Sequence, residues 1–206
     1  PLFDIPQPEI FIRGIDVTKK YGEIVPEFEA TVYVLSGGQW IAGQDFISAA
    51  YPNGITLSDV GLTNEDQPQQ DALGRTLVPV QFTSPITTMG SLSNFGRYLI
   101  TPSHATTEIS FVELFKYAGS FNSTDNVYTY NQNPTLGLGA VEVQKLPIVI
   151  KPNNLTVTYG ETIADKLTFQ INYDASNIES NETFFATLQS LYAADQNKDA
   201  LAIVDR

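Results

Sequence analysis

The only histidine of the chain, His104, directly follows Ser103. A serine beside a histidine is where a hydrolytic site would be sought, because imidazole can take the hydroxyl proton when an acid orients it. Neighbours on a strand point to opposite faces, however, and no G-x-S-x-G elbow is present. The pair therefore reads as non-catalytic, with His104 expected on the surface after a strand, and no enzyme activity is expected. Asp195, Asn197 and Asp199 have the alternating oxygen spacing that opens a calcium loop. Such a loop also wants Gly at its sixth position and Glu at its twelfth, where this chain has Ala200 and Arg206. The trio is a metal candidate by spacing alone. A polar loop after a helix is the favoured reading, and no cofactor is expected. Trp40 and Tyr51, with Tyr117, Tyr128 and Tyr130, offer apolar faces and polar rims that would suit sugar stacking. Ordinary core and strand packing is favoured for them.

The rest of the composition narrows the partners. Lys plus Arg number 11 against 23 acidic residues, a formal charge of -12. Phosphate binding needs a basic footprint, so nucleic acid is not expected as a partner. No apolar run reaches the length of a membrane-spanning helix, and no membrane insertion is expected. There are no cysteines, which removes disulfides and thiolate metal sites. Thr, Asn, Ser, Gly and Tyr are plentiful while Lys is scarce, a polar, uncharged bias that suits an extracellular β protein.

The elements that must position these residues are organised by an internal repeat. Pro8 to Glu23, PEIFIRGIDVTKKYGE, matches Leu146 to Glu161, LPIVIKPNNLTVTYGE, at a constant offset of 138 residues. Ile10 falls on Ile148, Ile12 on Ile150, Val17 on Leu155, and Tyr21-Gly22-Glu23 on Tyr159-Gly160-Glu161. Each copy reads as a strand, a turn and a second strand closed at glycine, with the tyrosine ring packed on the core. The lead-ins Leu2–Ile5 and Ala140–Val143 also match. An alternating strand follows in each copy, Phe28–Leu35 and then Leu167–Tyr173, the offset now being 139 residues.

A short helix is expected next, over Gln44–Tyr51 in the first copy and Glu182–Ala194 in the second. The second places Phe184, Leu188 and Leu191 on one face, with Ser180 or Asn181 as the cap. Asn64–Gly74 reads as an exposed loop, Leu77–Phe82 as an edge strand because of its proline, and Met89–Asn94 as loop. Phe95–Ser103 reads as a strand stopping at Pro102. Ile109–Tyr117 fits strand or helix equally, Val127–Tyr130 is a candidate strand, and Ala140–Val143 closes the unit. On this reading residues 1–7 are the closing strand of a preceding repeat and its junction, 8–145 a first complete repeat, and 146–206 the N-terminal part of a second. Both ends read as internal to a longer chain.

Four features resemble the MBG domains of the YGX type found in large bacterial surface proteins and adhesins. They are an apolar strand leading to KYGE at Lys20–Glu23 and TYGE at Thr158–Glu161; the alternating strand after it; the G-x-Y-x-I-T-P-S ending at Gly96–Ser103; and the final strand Gly139–Val143 running straight into Leu146-Pro147-Ile148. The chain departs from the family pattern by an insertion at His104–Leu138. The resemblance implies a mostly β (α+β) fold of tandem β-grasp-like repeat units with one short helix each, and it implies no catalytic residues. The function it implies is a structural or adhesive repeat of a long extracellular bacterial surface or filament protein, forming a semi-rigid stalk whose partners are its neighbouring repeats. The alternative is a module binding cell-surface glycans or proteins through the 104–138 insertion and nearby aromatics.

Overall fold

The computed structural model describes residues 7–106, 114–131, 133, 135–163, 166, 168–194 and 201–203. The fold is mostly β, as expected, and among the described residues it has one long helix where a short helix in each copy was expected. The chain divides into two compact units. One comprises Pro1–Val17, Pro26–Thr87 and Tyr98–Val141, the other Thr18–Val25, Thr88–Arg97 and Glu142–Arg206.

The first unit is built on strands β1 (Glu9–Gly14), β3 (Ala30–Ser36), β4 (Gln39–Ala42) and β10 (Lys116–Tyr117), in the order β10-β1-β3-β4. β1 runs between β10, parallel, and β3, antiparallel. Its Ile10, Phe11 and Ile12 are all fully buried. Consecutive apolar residues, rather than alternation, are what a strand covered on both faces requires. β3 does alternate, with Ala30, Val32 and Val34 inward. β3 turns into β4 through Gly37 and Gly38, both at positive φ (58° and 81°). That is the two-residue hairpin geometry whose twist matches the strands, and only glycine takes both positions without strain. A second sheet sets β7 (Thr76–Pro79) between β5 (Leu62–Thr63) and β6 (Gln69–Gln70). β9 (Gly96–Ala105) pairs at residues 101–103 with β8 (Gln81–Thr83) and at residues 103–105 with β12 (Val127–Thr129), which pairs in turn with β11 (Ser120–Asn122).

The second unit sets β14 (Leu146–Pro152) between β15 (Phe169–Asn172), antiparallel, and β16 (Leu201–Ile203), parallel. Helix α2 (Asn181–Ala194) forms where expected. Its Phe184 and Leu188, one turn apart, are buried against Leu146, Ile148 and Tyr21, with Ile150, Ile171 and Tyr173 alongside. Each such side chain contributes about 1.5–3 kcal/mol on burial. Ser180 O accepts the Phe184 N–H (2.8 Å) and Asn181 Oδ1 accepts the Tyr173 hydroxyl (2.6 Å), which fixes the start of the helix. The Leu191 side chain and Leu2–Ile5 lie outside the described residues.

The β1–β3 and β14–β15 ladders have the same register. Phe11 faces Tyr33 and Ile12 faces Val32. Their counterparts Val149 and Ile150 face Asn172 and Ile171.

Several expectations are corrected. Gln44–Tyr51 is not a helix; a 3-10 turn covers only Gly43–Asp45. The Gly43 carbonyl accepts from Phe46 (3.1 Å) and from Ile55 (2.8 Å), so it is taken before an α-turn can form. A short helix, α1 (Pro85–Met89), forms instead from the Ser84-Pro85 start, whose fixed φ suits a first helical position. Leu77–Phe82 is not one edge strand but β7 and β8, with β7 central. Val78 and Val80 donate to Gly61 and Thr63, so Pro79 needs no ladder donor on that side. β9 does not stop at Pro102, whose carbonyl accepts the Tyr130 N–H at 3.0 Å. Of Ile109–Tyr117 only Lys116–Tyr117 is strand, residues 107–113 being outside the described set. Finally, β2 (Val17–Lys20) forms, but residues 153–158 make no second strand. β2 has β13 (Gly139–Gln144) beside it, whereas no described strand lies beside 153–158.

Candidate functional site

The expected candidates separate into a buried cluster and an exposed turn. In the first unit β9, β10 and β12 bring His104, Tyr117, Tyr128 and Tyr130 together. The His104 ring lies 5.0 Å from Tyr117 and 5.6 Å from Tyr128 and Tyr130, nearly parallel to the last two. Phe11 joins Tyr130 (5.4 Å) to Trp40 (5.9 Å), so Trp40 belongs to the edge of the same group.

His104 is fully buried, which corrects its expected surface position. Its place near the end of β9, opposite Tyr128 of β12, turns it inward, while Ser103 takes the other face. His104 Nδ1 lies 3.3 Å from the Tyr130 hydroxyl, and Nε2 is buried without a hydrogen-bond partner among the described residues. Burial pulls its pKa down to about 4, so the ring is neutral at ordinary pH. Burial pushes the Tyr117 and Tyr130 hydroxyls up, and Tyr117 donates to the Val60 carbonyl at 2.9 Å. A sugar-stacking surface needs open ring faces. Tyr117 and Tyr130 have none, Tyr128 and Trp40 are half-buried, and Phe121, in contact with Tyr128, is the exposed ring of the group.

A cleft of about 520 Å³ in the first unit lies elsewhere, between Asp66, Pro68, Pro79, Gln81 and Phe82. None of the five aromatic candidates lines it. The calcium candidates Asp195, Asn197 and Asp199 lie outside the described residues. Among the described residues no group of three or more His, Asp or Glu side chains is placed to hold a metal, and no helix is long and apolar enough to cross a membrane.

The two Tyr-Gly-Glu turns share one local geometry. In the first, the Glu23 N–H donates to the Lys20 carbonyl (3.1 Å) and the Glu23 carboxylate accepts the Lys20 N–H (2.5 Å). In the second, the Glu161 N–H donates to the Thr158 carbonyl (3.1 Å) and the Glu161 carboxylate accepts the Thr158 N–H (3.0 Å). Gly22 and Gly160 have φ of 88° and 93°, a conformation open to glycine.

Their surroundings differ completely. Tyr21 is buried with its ring centroid 5.8 Å from that of Phe184. Gly22 lies so close to Phe184 that a β-carbon would overlap the ring. Its carbonyl accepts from Glu179 (3.3 Å), its N–H donates to Ser91 O (3.0 Å), and Ile24 donates to Asn177 O (3.0 Å). Tyr159, by contrast, is fully exposed, which corrects its expected packing on the core, and a β-carbon on Gly160 would meet nothing within 4 Å among the described residues. The sequence marks both turns through their identity. The seating of Gly22 on Phe184 joins residues far apart in the chain, and no local signal announces it.

Comparison of the chain with protein-family models, with curated proteins and with solved structures returns no match.

Proposed function

We propose that the chain is part of a tandem array: a structural and adhesive repeat of a long extracellular bacterial surface or filament protein, acting as a semi-rigid stalk. The observation that carries this reading is the shared register. A 138-residue sequence repeat at β1 and β14, followed by β3 and β15 one residue further offset, meets the same partners in both copies. Register is set residue by residue, and a slip of one would turn every side chain to the other face. The order strand, strand, helix, strand in the second unit, with its first strand central and its last parallel to it, supports a β-grasp-like repeat. A single residue, Lys145, joins β13 to β14, too short a link to act as a flexible tether. Spacing is the mechanism: each repeat adds a fixed length, and its partners are the repeats before and after it.

Antibody labelling of intact cells that produce the protein tests this reading. Labelling without permeabilisation is expected; labelling only after permeabilisation refutes a surface stalk. The alternative, a glycan- or receptor-binding module on the 104–138 insertion, loses support from the burial of Tyr117 and Tyr130. A glycan array on which the full chain binds, and the Phe121→Ala variant does not, would favour it instead.

A further inference from the structure

We infer that the Tyr159-Gly160-Glu161 turn is a docking plug for the helix of another copy of this repeat, received by a face like that of Phe184 and Leu188 on α2. The inference rests on the tandem-repeat reading and names the contact by which one repeat grips the next. The second unit already contains the seated form. There the Tyr21-Gly22 turn, which belongs to the first sequence copy, lies on a helix that belongs to the second. It is held by the Tyr21–Phe184 ring contact, by backbone bonds to Asn177 and Glu179, and by the close approach that glycine permits.

The Tyr159 turn has the same residues, the same internal hydrogen bonds and the same glycine conformation. It therefore needs no ordering of its own backbone to dock, which lowers the entropic cost of binding. Its ring is the most exposed large apolar group among the described residues, and Leu155, Val157 and Ile163 beside it in sequence are exposed as well. Exposed apolar groups gathered in one stretch mark an interaction site. The occupant follows from the seated form: a helix with an aromatic residue and a leucine one turn apart, preceded by a loop that offers a carbonyl and an N–H to the turn.

The test empties the seat in the full chain. Gly22→Val places a branched side chain where Phe184 stands and expels the first turn, freeing the α2 face. The Tyr159 turn of a second molecule should then occupy it. Sedimentation of G22V is expected to give a weight-average mass at least double that of the native chain, and G22V/Y159A is expected to return to monomer. A folded G22V that stays monomeric, or association that persists undiminished in G22V/Y159A, overturns the inference.

If far-UV circular dichroism shows that G22V has lost α2, a second arm decides. The native chain with ring-labelled tyrosine is mixed with the full-length Y21A/S176C chain, which lacks the ring that fills the seat and carries a spin label at its single cysteine, the native sequence having none. The Tyr159 signals, identified by their loss in Y159A, are expected to broaden before those of the other tyrosines. Uniform or absent broadening overturns the inference. Failure here leaves the surface-array reading standing, whereas antibody labelling confined to permeabilised cells refutes that reading and leaves this contact untouched.

Discussion

Replacing His104 with phenylalanine should remove an acid sensitivity of the first unit. His104 is buried among Tyr117, Tyr128 and Tyr130, with one ring nitrogen unpartnered among the described residues. Its pKa falls from 6.5 to about 4 in the folded state because burial disfavours the imidazolium. Above pH 6.5 the ring is neutral in both folded and unfolded chains, and the full stability is present. As pH falls from 6.5 towards about 4, the unfolded chain takes a proton that the folded chain refuses, and stability is lost. Between pH 7.5 and 4.5 the loss is about 2–3 kcal/mol, since each pKa unit is worth about 1.4 kcal/mol. The assay is urea unfolding at these two pH values, followed by the fluorescence of the single tryptophan, Trp40, which packs on Phe11 of the same core. With a urea slope of about 1–3 kcal/mol per molar, the native midpoint should fall by about 1 M or more. His104→Phe keeps an aromatic ring but cannot titrate, so its midpoint should change less by that amount. Loss of the Tyr130 contact should cost the variant about 1 kcal/mol at both pH values alike. Equal falls in native and variant would refute the argument.

Other variants test the packing. Ile12→Ala, in a fully buried central strand, should cost about 2–5 kcal/mol in the same Trp40 unfolding assay. Tyr21→Ala should destabilise the second unit by about 3 kcal/mol, read from the α2 signal in circular dichroism, while Tyr159→Ala should leave the melting temperature of the native chain unchanged. Gly139→Ala should cost at least about 2 kcal/mol, because a β-carbon there would overlap the Gly14 backbone, and its melting temperature checks this.

Sequence alone determined the features that depend on local pattern. The ungapped match of Pro8–Glu23 to Leu146–Glu161 placed β1 and β14, and the one-residue change of offset placed β3 and β15. The period of Phe184 and Leu188 placed α2 within a residue of its observed start. Each of these signals lies within a few residues of the element it specifies, and burial of an apolar face then enforces it.

What failed depended on partners distant in the chain. Pro102 reads as a strand stop, yet β9 continues because Tyr130 supplies a donor to its carbonyl. Gln44–Tyr51 reads as a helix, yet Ile55 takes the Gly43 carbonyl first. His104 reads as a surface residue until β12 brings two tyrosines against it. The turns at Tyr21 and Tyr159 show the division most plainly. Their matching residues dictate the same backbone, because the glycine conformation and the Glu side-chain bond are local. Only the tertiary structure sets one tyrosine against Phe184 and the other in solvent, because burial depends on what the rest of the chain brings to that place.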